Sequence, residues 1–156
     1  MTPPPLLSPR LRAVLAAFAL TAVAFLALDA IWLTAMASRL YRPAIGHLMR
    51  PDFDVVAASA FYVVYLSAVV GFVVRPAGSP RGAAMRGALF GFAAYATYDL
   101  TNQATLRDWP WLVTAADLAW GAFATASAAA FARRYMPIER PIAEAIQPSK
   151  ASRPPT

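Results

Sequence analysis

Four long apolar segments, separated by short polar stretches, constrain the fold of this chain more than any other feature. They cover about residues 13–37, 55–74, 87–106 and 111–132, and none of them contains proline. At 1.5 Å per residue, each is long enough as a helix to cross about 30 Å of hydrocarbon. Because a membrane-spanning backbone must satisfy its hydrogen bonds internally, the segments are expected to be helices. The sequence therefore predicts an all-α fold, a four-transmembrane-helix bundle over residues 13–134.

The composition agrees with a membrane protein and excludes several classes of site. Charged residues make up only 14% of the chain, whereas a soluble domain has roughly 25%. The absence of cysteine excludes disulfides, thiol catalysis and thiolate metal sites, and a single histidine excludes a multi-histidine metal centre. We therefore expect no cofactor and no metal. In so apolar a chain, the net charge of +6 indicates membrane topology and no nucleic-acid partner.

Basic residues are divided unequally between the two ends of the predicted bundle. Ten of the 14 lie near the termini or in the second loop, and four lie in the first and third loops. By the positive-inside rule, both termini are expected in the cytoplasm. The proline-rich residues 1–12 and 135–156 are expected to be disordered cytoplasmic tails. The first loop, residues 38–51, is expected to lie at the membrane interface.

Three acidic residues, Asp29, Asp99 and Asp117, lie inside the predicted spans. Helical rise places each of them about 12–15 Å below the outer boundary, and Tyr62 of the second span falls in the same layer. An ionisable group at this depth normally faces the bundle and has a partner or a function. The spans contain no lysine, arginine or histidine. The three carboxyl groups must therefore be protonated, share protons or hold a cation.

Aromatic and amide side chains accompany the three acids. An Asp-x-x-Trp pattern in the first and fourth spans places an indole on the same helix face as each acid. Rows of small residues at steps of four lead into the acids of the third and fourth spans. Because such rows let membrane helices pack closely, both acids are expected to face neighbouring helices. The candidate ligand-binding residues are Asp29, Trp32, Tyr62, Tyr95, Tyr98, Asp99, Asn102, Asp117 and Trp120.

Several short motifs carry a resemblance to a known family. They are YATYDLTNQATL at residues 95–106, Trp109-Pro110, DLAWG at residues 117–121, Leu28-Asp29-x-x-Trp32 and Gly46-His47-Leu48. Together they resemble the domain-of-unknown-function family 2177, whose members are predicted bacterial membrane proteins. The resemblance covers about residues 20–130. It implies a multi-pass, four-helix protein of the bacterial inner (plasma) membrane, and it implies no activity.

Three functions are consistent with the acidic layer. The first is binding or transport of a proton, a cation or a small polar or cationic molecule, with the lipid bilayer as surroundings and a homodimer where transport needs a thicker wall. The second is a structural or accessory scaffold in which the acids only hold the bundle together. The third is a membrane-embedded enzyme or accessory factor for a lipid or isoprenoid substrate. No motif with a mechanism identifies catalytic residues, so a non-enzymatic role is favoured.

Overall fold

The computed structural model describes residues 7–136, so residues 1–6 and 137–156 of the predicted tails lie outside the described residues. Within residues 7–136 the chain is helical and contains no strand, which confirms the predicted all-α class. Four helices are long and one, α2, is a single turn. Their bounds are Pro9–Met36 (α1), Arg42–Ile45 (α2), Val55–Val69 (α3), Pro80–Thr105 (α4) and Trp111–Tyr135 (α5).

Two of the long helices begin earlier than the sequence predicted, because a serine caps each of them. The Ser8 hydroxyl accepts a backbone hydrogen bond at 3.3 Å, and Pro9 occupies the first turn of α1. The last four residues of the tail predicted over 1–12 are therefore helical. In the same way Ser79 caps α4, which begins at Pro80, seven residues before the predicted start.

The first predicted loop is largely helical as well. A π-helix, Ala37–Tyr41, joins α1 to α2, and a 3₁₀ turn, Gly46–Leu48, follows. Inside the π-helix the backbone hydrogen bonds span five residues, and the Arg42 N–H still bonds the Ala37 carbonyl oxygen. The helix thus continues past the predicted boundary, and the wider turn changes the direction in which the following side chains point.

Three helical stretches of the described residues are long and apolar enough to cross a membrane: Pro9–Leu48, Val55–Val74 and Trp111–Tyr135. The second of these continues α3 through a further π-helix, Val70–Val74. Helix α4 is long enough but less apolar, because its second half contains Tyr, Thr, Asp, Asn and Gln. That α4 also spans the membrane stays a prediction.

The surface and the interior of the bundle have the reverse of a soluble protein's polarity. Large apolar side chains face outward, among them Val56 at 81% exposure and Leu89 at 72%. Six polar or acidic residues are buried inside instead: Thr21, Asp29, Asp99, Thr114, Asp117 and Thr125. An apolar outer surface around polar interior groups suits a protein surrounded by lipid. The chain is a multi-pass membrane bundle.

Helices α4 and α5 form the most extensive interface of the bundle. Gly87 of α4 lies so close to α5 that an added Cβ would meet the Thr125 carbonyl oxygen at 2.8 Å. A Cβ at Gly91 would overlap the backbone of Gly121, and a Cβ at Gly121 would overlap the ring of Tyr95. The two rows of small residues therefore face each other and let α4 and α5 pack closely.

Candidate functional site

The three intramembrane acids lie near the same end of the bundle. Asp29 is seven residues before the last residue of α1, Asp99 is six before the last residue of α4, and Asp117 is six after the first residue of α5. At 1.5 Å per residue, each lies about 9–11 Å from the end of its helix. We call this end, where α4 passes into α5, the acid end.

Asp29 joins three helices through its two carboxyl oxygens. Its Oδ2 accepts a hydrogen bond of 2.5 Å from the hydroxyl of Tyr62 on α3. Its Oδ1 accepts one of 3.3 Å from the indole Nε1 of Trp120 on α5. Asp29 is buried, and both of its oxygens have a partner. Each carboxyl oxygen of Asp29 therefore accepts a hydrogen bond from another helix, and these bonds connect α1, α3 and α5.

Asp117 is linked to Asp29 through aromatic side chains. Its Oδ1 accepts a hydrogen bond of 2.5 Å from the Tyr41 hydroxyl, which in turn accepts one of 2.8 Å from Trp32 Nε1. The rings of Trp32 and Trp120 stack with centroids 4.5 Å apart and planes 7° from parallel. Because Trp120 also bonds Asp29, the contacts form one continuous group. We call Asp29, Trp32, Tyr41, Tyr62, Asp117 and Trp120 the paired-acid network.

Tyr41 is a member of this network that the sequence analysis placed in the interfacial loop. It reaches Asp117 because the π-helix Ala37–Tyr41 continues α1 and turns the tyrosine back toward the bundle. One signal was available in the sequence: no proline or glycine occurs between Pro9 and Arg42, so nothing requires the helix to end at residue 37. π-Helical turns of this kind are frequent at functional sites.

Asp99 differs from the other two acids because neither of its carboxyl oxygens has a hydrogen-bond partner among residues 7–136. The residue is completely buried. Asn102, three residues later on the same helix face, has a buried Nδ2 that also lacks a partner. The Trp109 indole N–H donates to the Thr114 hydroxyl, which in turn donates to Gln103 Oε1. Asp99 and Asn102 therefore lie beside the paired-acid network without joining it.

A groove of ≈ 440 Å³ opens on the side of the bundle between α3 and α4. We call it the lateral groove. Its lining is aromatic and apolar apart from one carboxyl group, and consists of Phe61, Tyr65, Ala94, Tyr95, Tyr98 and Asp117. The backbones of α3 and α4 approach each other mainly at the π-helix Val70–Val74, which leaves the rest of α3 free to diverge. Tyr98 is 61% exposed and forms part of the rim.

A smaller cleft of ≈ 270 Å³ adjoins the lateral groove and shares Phe61 and Tyr95 with it. Most of its other lining residues belong to the paired-acid network: Asp29, Trp32, Tyr41, Tyr62 and Trp120. Of the nine candidate residues, seven therefore line one of the two spaces, and Asp99 and Asn102 line neither. Phe61 and Tyr65, which the sequence analysis did not select, also line the lateral groove.

No basic side chain neutralises the acids within residues 7–136. The one ion pair there joins Arg50 and Asp54 at 3.3 Å, and it is exposed in the first loop. That part of the chain also contains no group of three His, Cys, Asp or Glu side chains that could hold a metal ion. The site is thus built from carboxyl groups and aromatic rings, and its charged groups are all acidic.

The comparison with protein families agrees with this architecture. A family described as predicted membrane protein (DUF2177) matches residues 14–133. The chain belongs to this family. The DUF2177 match covers the acid end of the bundle and all nine candidate residues, and it confirms the resemblance carried by the sequence motifs. No curated protein and no solved structure matches the chain. For this DUF2177 protein, function must be argued from the site itself.

Proposed function

We propose that this DUF2177 protein binds a small organic cation with an apolar body, inside the membrane, in the lateral groove beside Asp117. One observation carries the proposal: a carboxyl group lines a groove that is otherwise aromatic and apolar, and no basic side chain of residues 7–136 pairs with it. A negative charge in such surroundings is costly unless a cation compensates it. A cationic ligand in the groove would be attracted to the Asp117 carboxylate, because no basic side chain of residues 7–136 neutralises it.

The aromatic lining favours an organic cation over a metal ion. Cations, quaternary ammonium groups above all, bind over the faces of aromatic rings within about 6 Å. The groove offers the rings of Phe61, Tyr65, Tyr95 and Tyr98 for this contact. A hard metal ion such as Ca²⁺ or Mg²⁺ instead takes six or more oxygen ligands. The volume of ≈ 440 Å³ lies in the range typical of small-molecule sites.

The position of the groove favours entry of the ligand from the bilayer. The groove opens sideways between α3 and α4, among side chains that face lipid, such as Val64 at 70% exposure. An amphiphilic cation could therefore enter with its apolar part in hydrocarbon. This arrangement supports binding, since a pathway across the membrane would have to open toward both faces. With the termini in the cytoplasm of a bacterium, the groove would lie in the outer half of the inner membrane.

The proposal is tested by equilibrium dialysis of the full chain in nanodiscs of zwitterionic lipid. The probe is phenyltrimethylammonium, and its neutral isostere tert-butylbenzene serves as the reference ligand. We expect saturable binding of the cation to the wild-type protein, weakened about ten-fold or more in Asp117→Asn, which corresponds to about 1.4 kcal/mol. A cation that does not bind, or that binds Asp117→Asn equally well, would contradict the proposal.

The matched control is Asp108→Asn. This substitution removes one carboxyl group at the same end of the bundle, but Asp108 is exposed in the turn between α4 and α5. Its backbone has φ 59°, a left-handed conformation that asparagine adopts as readily as aspartate. Binding by Asp108→Asn should therefore equal that of the wild type. A parallel loss in this control would reveal a general effect of charge on the probe.

A second candidate function is that of a scaffold, and the bonding of Asp29 favours it. Both oxygens of Asp29 accept hydrogen bonds from other helices, so this acid already has a structural role. Interhelical bonds of this kind are worth about 0.6–2 kcal/mol each in a membrane. Under the scaffold hypothesis, the hydrogen bond from Tyr41 to Asp117 has the same structural role and no cation binds. The dialysis experiment separates the two candidates.

A further inference from the structure

The end of the bundle opposite the acid end has a charge pattern of its own. We call this end, where α1 and α4 begin and α5 ends, the basic end. Within residues 7–136 it contains no acidic side chain and seven arginines: Arg10, Arg12, Arg75, Arg81, Arg86, Arg133 and Arg134. The six aspartates of the same range all lie at the acid end or in its loops. Charge is therefore separated along the axis of the bundle.

The helices that carry these arginines converge at the basic end. The π-helix Val70–Val74, which Arg75 follows, packs against α1, α4 and α5. Buried residues within two positions of an arginine belong to one core cluster, and these are Val74, Ala83 and Ala132. Six of the seven arginines are exposed, and Arg133 is partly buried. The basic end is thus a group of exposed cations around one packed core.

No carboxyl group of the described residues compensates these charges. The one ion pair of residues 7–136, between Arg50 and Asp54, lies in the first loop. The Arg12 guanidinium donates a hydrogen bond of 3.2 Å to the Leu7 carbonyl oxygen, which is a neutral group. Because α1 and α4 begin here without an acidic residue in the first turn, the positive ends of their dipoles add to the charge. The basic end therefore favours an anionic partner.

The neighbours of the arginines indicate that this anion belongs to a lipid. On three helices, a large exposed apolar side chain directly adjoins an arginine, and these side chains are Leu11 of α1, Met85 of α4 and Tyr135 of α5. A soluble anion would contact the cations alone, whereas a phospholipid has both a phosphate and acyl chains. The guanidinium group also matches two phosphate oxygens with parallel hydrogen bonds. Basic clusters beside a membrane span are typical of sites for anionic headgroups.

We propose that the basic end binds the headgroups of anionic phospholipids, with Arg75, Arg81 and Arg134 among the groups that contact the phosphate. These three side chains are exposed and belong to different elements of the bundle. The acyl chains of the bound lipid pack against the apolar outer surface, which includes Met85 and Phe131. The proposal is independent of the cation site, because the lateral groove and Asp117 lie at the other end.

Spin-labelled lipids test the proposal on the full chain in bilayers of phosphatidylcholine. The measurement is the fraction of label immobilised by the protein, compared between phosphatidylglycerol and phosphatidylcholine that carry the same labelled acyl chain. We expect the wild type to prefer phosphatidylglycerol about five-fold at low ionic strength, the contribution of one arginine near a membrane surface. In the triple variant Arg75→Gln, Arg81→Gln, Arg134→Gln, this preference should fall below about two-fold.

The matched control removes three exposed arginines from the acid end, in the variant Arg39→Gln, Arg42→Gln, Arg107→Gln. It loses the same charge and should keep the preference of the wild type. Because all six positions are exposed, neither variant should change the thermal unfolding midpoint. An equal loss of preference in the two triple variants would overturn the proposal. So would a wild-type protein that does not prefer phosphatidylglycerol, or a basic-end variant that keeps the preference.

A last arm of the experiment separates a lipid from a soluble anion. Inorganic phosphate should reduce the preference no more than sodium chloride of the same ionic strength, because both only screen the arginines. A stronger reduction by inorganic phosphate would show that a free anion occupies the basic end, and it would overturn the lipid proposal.

Discussion

The two halves of α4 both pack against α5, but they carry different kinds of side chain. In the first half, Gly87 and Gly91 bring the backbones of α4 and α5 into contact, and the polar side chain at this contact is the small Thr125. The second half contains larger aromatic and polar side chains: the Tyr95 ring lies against Gly121 of α5, and Asp99 and Asn102 have buried polar atoms without a hydrogen-bond partner among residues 7–136. The first half is held by the close packing of small residues, whereas the second half contains polar groups that need hydrogen-bond partners.

This difference shows where a small membrane bundle can have space for a ligand-binding site. Close packing of small residues supplies dispersion contacts and leaves no space for a ligand. The first half of α4 packs closely against α5, and the π-helix Val70–Val74 attaches α3 to both helices. The lateral groove can therefore stay open beside the second half of α4. The acids lie in this open half. Substitutions in the two halves should therefore have different effects.

The largest effect is expected from adding one methyl group to the packed half. In Gly91→Ala, the new Cβ overlaps the Gly121 backbone and lies 2.5 Å from Thr125 Oγ1. Such overpacking costs about 1–3 kcal/mol, and it should lower the thermal unfolding midpoint in detergent. The same substitution at Gly71, where nothing lies within 4 Å, should leave the midpoint unchanged or raise it. Equal midpoints for the two variants would refute the packed interface.

The next largest effect is expected at Asp29. Asp29→Leu removes the acceptor of the Tyr62 hydroxyl and of Trp120 Nε1, and each donor left unsatisfied costs about 1–3 kcal/mol. Asp52→Leu, in the exposed first loop, is the matched control and should change the unfolding free energy little. If both variants unfold alike, Asp29 does not join the helices.

A smaller effect is expected at Tyr41. Tyr41→Phe removes the donor to Asp117 and the acceptor of Trp32 Nε1, with a cost of about 1 kcal/mol. Trp32 fluorescence should also shift, because its indole N–H loses its partner. Tyr98→Phe is the control, since the Tyr98 ring is exposed at the rim of the groove. A Tyr41→Phe protein with wild-type stability and fluorescence would remove Tyr41 from the network.

The smallest effect is expected at the acid that makes no bonds. Because neither Asp99 oxygen has a partner, Asp99→Asn should change the unfolding free energy by less than about 0.5 kcal/mol at neutral pH. Asp29→Asn should cost more, since an amide offers a single acceptor oxygen where Asp29 serves two donors. A larger loss in Asp99→Asn than in Asp29→Asn would reverse the comparison.

Features that depend on one helix at a time could be predicted from the sequence. Helical rise alone placed Asp29, Asp99 and Asp117 near one end of the bundle. Steps of four placed Gly87 and Gly91 on one helix face, and this is the face that packs against α5. Both predictions use only the pitch and repeat of an α-helix, which are fixed by the backbone.

Features that depend on how helices meet could not be predicted in the same way. The sequence gives no angle between α3 and α4, so it indicated neither the lateral groove nor the exposure of Tyr98 at its rim. A π-helix inserts one residue into a turn, and nothing in the local sequence marks that insertion, so Tyr41 was assigned to a loop. Which acid finds partners is likewise a property of the neighbouring helices.

The central claim is that Asp117 gives the lateral groove its preference for a cation. Its most direct test is the ratio of the affinities for phenyltrimethylammonium and tert-butylbenzene, measured on wild type, Asp117→Asn and Asp108→Asn in nanodiscs. We predict that the ratio falls about ten-fold in Asp117→Asn and stays constant in Asp108→Asn. A ratio that is the same in all three proteins would show that the carboxyl group does not select the ligand.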